Sequence, residues 1–244
     1  MQIVKKLLLF ITSNYPKFRI NKSLQKNKYN IFDNVELFNE NNLDDPIKNI
    51  INYIINKYDN VGYGYWIWKP YFILEELNKL NDDDILVYLD SHCIDDNLKD
   101  KFYNIIDYLQ KQPIIIAKAG FNDYMYATTK LKNHVEEFLN YNFTTKQLEE
   151  TQYEAGIIFI RNCDTSKNFI KQWLYIMMSN IDCITNIYND DSENHETFKS
   201  NRHDQSVISL LYKYYKYETP EYINYEFMHY KNNKNKNIVI NNTN

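Results

Sequence analysis

The sequence predicts an α/β fold with a mostly parallel sheet, and three observations lead to this prediction. Short apolar runs rich in Ile, Leu, Val and Phe alternate along the 244-residue chain with longer segments whose apolar residues recur at helical spacing. The short runs are apolar almost throughout, which is typical of strands that a parallel sheet buries on both faces. No internal repeat and no linker rich in Pro, Gly or Ser divides the chain. We therefore expect one domain in which helices flank the sheet.

The strand candidates are short and rich in β-branched or aromatic residues. They lie at residues 4–12, 85–89, 113–119, 156–161 and, as the weakest, 237–240. The first, VKKLLLFIT, imitates a signal peptide because lysines precede an apolar run. That run is too short for the apolar part of a signal peptide, and no small-residue cleavage site follows it. We therefore interpret residues 4–12 as a first strand.

Six segments carry apolar residues at intervals of three and four, which predicts amphipathic helices. In the first of them, Asp45 can act as the N-cap and Pro46 occupies the first helical position. The polar run at residues 186–201 precedes the last helix, and we expect a long loop there of the kind that often binds ligands. The helix candidates are residues 44–58, 69–80, 97–111, 129–141, 165–178 and 204–215.

Composition and charge exclude several classes of protein. The net charge is −4 and the isoelectric point is near 5.8, so the chain has no basic excess with which to bind nucleic acid. Its three cysteines form no C-x-x-C pair, which argues against a disulfide framework and a zinc cluster and favours a reducing compartment. No segment reaches the roughly 18 apolar residues that a transmembrane helix needs. We therefore expect a cytoplasmic protein without a transmembrane segment and without a nucleic-acid partner.

The strand candidate at residues 85–89 runs directly into Asp90 and, two residues later, His92. Ligands of open α/β sheets bind at the carboxyl ends of strands, and residues i and i+2 of an extended chain point the same way. Asp90 and His92 could therefore face one cation, and an Asp with an imidazole suits Mn²⁺ somewhat better than Mg²⁺. A divalent ion bound to a diphosphate needs only one or two protein ligands. The alternative is that Asp90 merely ends the strand and His92 lies in a turn.

The stretch GYGYWIWKPYFILEEL, residues 62–77, places two glycines, several aromatic residues and Lys69 just ahead of a helix. Lys69 could meet a phosphate near the helix N-terminus, which itself favours anions. The aromatic side chains could stack on a base or a sugar, or they could belong to the core, and for Trp68 the core is the favoured place. The candidates for stacking are Tyr65, Trp66 and Trp68.

Two further stretches hold candidate residues. In NRHDQSVISLLYKYY, Asp204 could be a plain N-cap, a general base or a ligand of sugar hydroxyls. Arg202 could clamp a phosphate, and His203 stands between the two. In YEFMHYKNNK, His229 could complete a metal site, or it could be an ordinary packing or surface histidine.

These pieces follow one another in an order that resembles a known family. The blocks are GYGYWIWKPYFILEEL, DDDILVYLDSHC, the TK of YATTKLKNHVEEFL, GIIFIRN and RHDQSVISLL, all between residues 62 and 211. They resemble the GT-A-type glycosyltransferases of capsular-polysaccharide and lipopolysaccharide synthesis, whose relatives occur in bacteria and in large DNA viruses. The most specific blocks are GYGYW-x-WKP and RHDQS.

The resemblance implies a GT-A-like, Rossmann-type fold in a single domain. Its nucleotide-binding part would cover about residues 1–120, its acceptor-side part about 121–232, and a polar tail about 232–244. It also implies a nucleotide-sugar donor and a divalent metal, Mn²⁺ or Mg²⁺. Asp90 corresponds to the D-x-D-like motif of the family, whose usual form is Asp, a small residue, Gly and Cys. This chain departs from that form because His92 stands where Gly is common, so a metal role for His92 is an inference from its chemistry alone.

Other site residues are expected from the same resemblance. Asp204 corresponds to the Asp of the HDQ block and would act at the sugar or acceptor side. The first strand would present its carboxyl end to the base and ribose of the nucleotide, and His229 would bind the metal by analogy with a late His in GT-A enzymes. The residues expected at the donor, in addition to those already named, are Thr12, Ser13, Lys130 and Gly156.

The sequence thus predicts a metal-dependent glycosyltransferase of the hexosyltransferase type. It would move a sugar from a nucleotide-sugar donor, a UDP-sugar first of all, to a glycan or protein-linked acceptor. Two alternatives stay open: a catalytically inactive sugar-binding or structural domain on the same fold, and a sugar nucleotidyltransferase. The Gly-rich signature typical of nucleotidyltransferases is missing from FITSNYPKFRINKS near the N-terminus. Retention or inversion at the anomeric carbon and the oligomeric state are left undecided.

Overall fold

Five strands form one sheet in a computed structural model that describes residues 3–10, 30–90 and 98–224. The order across the sheet is β2-β1-β3-β5-β4. Strand β5 is antiparallel to both of its neighbours, and the other four run in one direction. The strands are β1 (Lys5–Phe10), β2 (Asn34–Phe38), β3 (Ile85–Asp90), β4 (Ile114–Asn122) and β5 (Thr151–Arg161). The predicted α/β fold, with a mostly parallel sheet flanked by helices, is confirmed.

Four strand predictions are confirmed, and one strand was missed. The candidates at residues 4–12, 85–89, 113–119 and 156–161 correspond to β1, β3, β4 and β5, although β5 begins earlier, at Thr151. The missed strand is β2, which lies at the edge of the sheet and, among the described strands, pairs with β1 alone. An edge strand is only half buried, so its sequence NVELF mixes polar with apolar residues and lacks the continuous apolar signal of the others. The candidate at residues 237–240 lies outside the described residues.

Six longer helices agree with the six helix predictions. The N-cap of the first one was predicted wrongly by one residue. Asp44, not Asp45, accepts a hydrogen bond from the Ile47 amide at 3.3 Å, because a cap must lie three residues before the amide that it satisfies. None of the described helices is long and apolar enough to cross a membrane. The helices are α1 (Asp45–Lys57), α2 (Trp68–Lys79), α3 (Leu98–Leu109), α4 (Thr129–Leu139), α5 (Asp164–Ser179) and α6 (Asp204–Tyr214).

The helices cover both faces of the sheet and create two apolar layers. On one face, α3 packs through Phe102 and Ile105 against residues such as Val87 and Leu89. On the other face, the apolar stripes of α1, α2, α4, α5 and α6 form a larger core. Both layers remove apolar side chains from water, which stabilises the fold by ~1.5–3 kcal/mol for each large buried side chain. This packing fixes the strand ends, where the candidate site residues lie.

Strand β5 carries a bulge close to its start. Ile116 of β4 pairs with Ile158, but Lys118, two residues further along β4, pairs with Tyr153, five residues back along β5. The extra residues of β5 are therefore pushed out of the regular ladder between these two pairs, and they include Gly156. Bulges next to active sites re-aim side chains, and this one lies beside the carboxyl end of β3.

A left-handed turn leads into α2. All five residues from Gly62 to Trp66 have positive φ, between +53° and +80°. The amide of Tyr65 donates to the Val61 carbonyl at 2.7 Å, which closes the turn. Each non-glycine residue in this conformation costs about 1–2 kcal/mol, so the neighbourhood must hold the turn in place. The hydroxyl of Tyr65 donates to Asp59, and its ring is buried in the core.

The first prediction concerns the glycines in positive φ. Gly62→Ala would place a Cβ 2.3 Å from the Trp66 indole, whereas Gly120, at φ +81°, has nothing within 4 Å of its ideal Cβ. Gly120→Ala should therefore cost only the conformational term, about 1–2 kcal/mol, and Gly62→Ala a further ~1–3 kcal/mol from overlap. Urea unfolding of the two variants measures the difference. Equal losses would mean that the tight contact with Trp66 does not exist.

Candidate active site

A cleft of about 800 Å³ opens at the carboxyl edge of the parallel strands. Its walls are the end of β3, the late part of β4, the bulge of β5 and the start of α6. Trp66 of the left-handed turn and the two ends of the polar run at residues 186–201 close the other sides. Seven of the predicted site residues line this cleft: Trp66, Lys69, Asp90, Gly156, Arg202, His203 and Asp204.

The centre of the cleft is a buried cation between two carboxylates. Lys69, in the first turn of α2, is only 2% exposed. Its Nζ lies 2.8 Å from Oδ2 of Asp204 and 3.5 Å from Oδ1 of Asp90. Asp204 had been considered as a plain N-cap, but His203 holds the cap position and Asp204 is the first residue of α6. Its carboxylate is therefore directed to Lys69 and not to the helix end.

The same contacts set the protonation of the two buried partners. Burial raises the pKa of Asp204 to about 6, although the charge of Lys69 opposes this shift. Burial also opposes the charge on Lys69, but the carboxylates of Asp204 and Asp90 outweigh it and raise the pKa of the ammonium. Oδ2 of Asp204 accepts no aligned hydrogen bond from the described residues, so Lys69 provides charge without satisfying this oxygen fully. At neutral pH Lys69 is therefore an ammonium, and Asp204 is mostly a carboxylate.

The position of Asp90 depends on the strand opposite. The hydroxyl of Tyr88 donates to Oδ1 of Asp90 at 2.7 Å. On β5, a Cβ at Gly156 would lie 2.7 Å from Oδ2 of Asp90, closer than real Cβ atoms come. Gly156 thus contributes space and not a side chain. Since the side chain of Asp90 keeps 24% of its surface exposed, it can bind a ligand in the cleft.

His203 forms a neutral aromatic wall of the cleft. Its Nδ1 donates to the Ile184 carbonyl at 2.8 Å, and burial, followed by the charge of Arg202, lowers its pKa to about 4. Its ring stacks on Trp66 with 5.6 Å between centroids and meets Tyr65 edge-on at 4.8 Å. With a φ of +55°, His203 is a second strained residue in contact with the left-handed turn. A neutral His203 cannot pair with a phosphate as a cation does.

Arg202 brings a positive charge to the same wall. Its guanidinium lies 4.8 Å from the ring centroid of Tyr126 and 5.6 Å from that of Phe121, which stabilises it by cation–π attraction. Within the described part of the chain, no carboxylate lies within 4.0 Å of it. Arg202 lines the cleft, and its predicted contact with a phosphate stays a prediction.

The remaining predicted residues lie elsewhere. Tyr65 does not line the cleft but is buried beneath His203. Trp68 belongs to the core, as expected, with its indole stacked on Phe10 at 3.7 Å. The structure does not bring Lys130 to the cleft, because its ammonium pairs with Glu193 at 2.7 Å on an exposed surface. Four predicted residues lie outside the described residues: Thr12, Ser13, His92 and His229.

The cleft also contains polar residues that sequence reasoning missed. Glu154 is 8% exposed and interrupts an otherwise apolar stretch of β5. A charged residue inside an apolar strand is a sequence signal that could have identified it as a candidate. Gln205 directly follows Asp204 in the RHDQS block and lines the cleft, but it was not among the predicted site residues. Asn186 and Asn201 are the two ends of the polar run at residues 186–201.

The predicted long loop at residues 186–201 is confirmed and forms a pre-organised wall. The side-chain amide of Asn201 donates through Nδ2 to the backbone carbonyls of Cys183 and Thr185 at 3.0 and 3.1 Å. Asn194 accepts from the Thr129 amide at 3.0 Å, which ties the loop to the start of α4. The asparagines that fill this run are therefore structural, since their side chains replace the backbone bonds that an irregular segment lacks.

A divalent cation fits the cleft as one ion with few protein ligands. Among the described residues, no group of three or more His, Cys, Asp or Glu side chains could hold a metal. Asp90 alone would suffice if phosphate oxygens and water completed the shell. The described lining carries two cations, Lys69 and Arg202, against the carboxylates of Asp90, Glu154 and Asp204. Within this described lining, a bound divalent cation would add positive charge beside a diphosphate.

Comparison with solved structures gave weak likeness in fold. No family model matches the chain, and no curated protein matches it. A solved structure, that of mouse xyloside xylosyltransferase 1 in its apo form, aligns with a TM-score of 0.43 and 11% identical residues. The alignment covers 87% of this chain and 83% of that chain.

The second prediction tests the charge at the centre of the cleft. The pKa of Asp204 in the fold, about 6, lies above its unfolded value of roughly 3.9, so stability falls as pH rises between these values and then levels. Lys69→Met should raise this pKa further. The free energy of unfolding should then keep falling above pH 6, by about 1.4 kcal/mol for each unit by which the pKa is raised. Urea unfolding at pH 5 to 8 measures the free energy of unfolding of both proteins.

The control variant is Lys132→Met, which removes the ion pair with Glu136 on α4 and should follow the wild-type curve. Parallel curves for all three proteins would contradict the assignment.

Proposed function

We propose that this chain is a metal-dependent glycosyltransferase. It would transfer a hexose from a nucleotide-sugar donor, in the first place a UDP-sugar, to a hydroxyl group of a glycan or protein-linked acceptor. The observation that carries the proposal is the position of Lys69 between Asp90 and Asp204, at the carboxyl edge of the sheet and inside a cleft large enough for a nucleotide-sugar. The resemblance of the sequence blocks supports the same reaction.

The donor side of the cleft would bind the diphosphate. Asp90 would hold Mn²⁺ or Mg²⁺ together with phosphate oxygens, and Gly156 keeps the space that its carboxylate needs. A divalent cation bound there would stabilise the negative charge that develops on the departing nucleoside diphosphate. Arg202 would pair with a phosphate oxygen, and the exposed part of Trp66 would stack on a ring of the donor.

Asp204 would act at the anomeric carbon. In an inverting reaction, the acceptor hydroxyl attacks this carbon, the bond to the diphosphate oxygen breaks, and Asp204 takes the hydroxyl proton. In a retaining reaction, Asp204 would position sugar hydroxyls instead. Its raised pKa, about 6, supports the first role, because a general base works best when its pKa lies near the operating pH.

The third prediction distinguishes these roles by the pH dependence of the rate. If Asp204 is the base, release of nucleoside diphosphate should rise about tenfold per pH unit up to about pH 6 and then level. Asp204→Asn should lower the plateau by about 10²–10⁴-fold. A rate that does not change with pH, with retained anomeric configuration in the product by NMR, would assign Asp204 to sugar binding.

The fourth prediction tests the donor site by ligand-induced stabilisation. UDP-, GDP- and dTDP-sugars are added to the wild type with and without Mn²⁺, and the thermal midpoint is measured. A ligand at about 100 times its Kd should add about 2.7 kcal/mol. We expect one nucleotide class to raise the midpoint only with Mn²⁺. The shift should disappear in Asp90→Asn and shrink in Gly156→Ala, whose Cβ must displace the Asp90 carboxylate.

Two results would overturn the proposal. If no nucleotide-sugar raises the midpoint with Mn²⁺, an inactive sugar-binding or structural domain becomes the better account. If instead the protein forms a nucleotide-sugar from a sugar 1-phosphate and a nucleoside triphosphate, it is a nucleotidyltransferase. Lys132→Met, on the surface of α4, serves as the control and should keep the wild-type shift.

A further inference from the structure

A chain of hydrogen bonds leads from the cleft to a buried ion pair. Gln205 lines the cleft, and its Nε2 donates to Oε1 of Gln152 at 2.8 Å. Gln152 is fully buried, and its Nε2 donates to Oδ1 of Asp123 at 3.0 Å. The other oxygen of Asp123 pairs with the ammonium of Lys213, and both of these residues are buried. We call Gln205, Gln152, Asp123 and Lys213 the amide relay.

The ion pair fixes the direction of the whole relay. Lys213 donates to Asp123 and to the carbonyls of Gln147 and Glu150 at 2.6 and 3.0 Å, so its three protons are all used. Burial raises the pKa of Asp123, and the charge of Lys213 opposes this rise. With the ammonium of Lys213 at its other oxygen, Oδ1 of Asp123 accepts the hydrogen bond from Nε2 of Gln152. Gln152 must therefore turn its Nε2 toward Asp123.

The orientation of Gln152 in turn fixes the orientation of the Gln205 side chain, which lines the cleft. Because Nε2 of Gln152 faces Asp123, its Oε1 faces Gln205, and Gln205 must donate with its own Nε2. Its carbonyl oxygen, Oε1, accepts no hydrogen bond from the described residues and is left for a ligand. An amide without such a relay could present either its oxygen or its nitrogen. In this protein, the buried ion pair of Asp123 with Lys213 fixes which atom Gln205 presents to the cleft.

We propose that the amide relay makes Gln205 an acceptor-only contact for one hydroxyl group of the donor sugar. This inference rests on the proposed function. Gln205 follows Asp204, whose carboxylate contacts Lys69 beside the expected diphosphate site, so the sugar attached to that diphosphate is the part of the substrate within reach. Gln205 then touches substrate, whereas Gln152, Asp123 and Lys213 are positioning residues. The predicted specificity is for a sugar that donates a hydrogen bond at one ring position.

The test uses the donor's own nucleotide and a set of fluorinated donors. UDP, the parent UDP-hexose and its monodeoxyfluoro analogues are titrated calorimetrically into the full-length protein with Mn²⁺ at pH 8. Fluorine replaces each hydroxyl in turn and cannot donate a hydrogen bond. For the wild type, one analogue should bind about tenfold more weakly than the parent, the loss expected for one well-aligned hydrogen bond.

The variants separate the relay from general stability. In Gln205→Met the tenfold ratio should fall to about one, and in Gln152→Met it should fall below about threefold, because the freed amide can present its nitrogen as well. Affinity for UDP itself should not change. Gln112→Met is the matched control, because Gln112 holds Tyr212 of α6 through a 3.0 Å hydrogen bond and is not part of the relay. It should keep the tenfold ratio.

The outcomes distinguish the inference from the proposed function. If UDP binds with Mn²⁺ but Gln152→Met discriminates as the wild type does, the amide relay does not set specificity and this inference is wrong. The same holds if no analogue is discriminated by the wild type. If neither UDP nor any nucleotide-sugar binds, the proposed function fails, and the inference fails with it.

Discussion

The buried charge of Lys69 is the interaction on which the cleft depends. It joins the start of α2, the end of β3 and the start of α6, which lie far apart in the chain. Without this ammonium, the carboxylate of Asp90 and the buried carboxylate of Asp204 would repel each other, which favours protonation of one of them. With it, Asp204 keeps a pKa of about 6 and can act as a base near neutral pH.

Strained and irregular backbone surrounds this charge and puts it in place. The left-handed turn at Gly62–Trp66 delivers the chain to Lys69, and His203, also at positive φ, packs against that turn. The bulge of β5 leaves Gly156 opposite Asp90. Strain of this kind persists only where the surrounding structure enforces it, and it concentrates at functional sites. In this chain two such segments meet at one wall of the cleft.

The sequence predicted what depends on local pattern and missed what depends on tertiary contact. Apolar periodicity located four of the five described strands and all six longer helices, and the rule for strand ends placed Asp90 at the cleft. The edge strand β2 gave no such signal. The ion contact of Lys69 with Asp204 and the places of Glu154 and Gln205 in the cleft arise from the bulge and from side chains distant in sequence, so no spacing rule reveals them. Lys130 was expected at the donor, yet the structure pairs it with Glu193 outside the cleft.

The most direct test of the account is a double-mutant cycle between Lys69→Met and Asp204→Asn, measured by urea unfolding at pH 8. If the two side chains form one buried electrostatic unit, each single variant leaves a buried polar group without its nearest partner of opposite charge, and the double variant loses less than the sum of the two. We expect a coupling free energy at the upper end of the range of about 0.5–3 kcal/mol found for contacting residues. Additive losses, with coupling below about 0.5 kcal/mol, would show that Lys69 does not hold the carboxylate of Asp204 and would contradict the account.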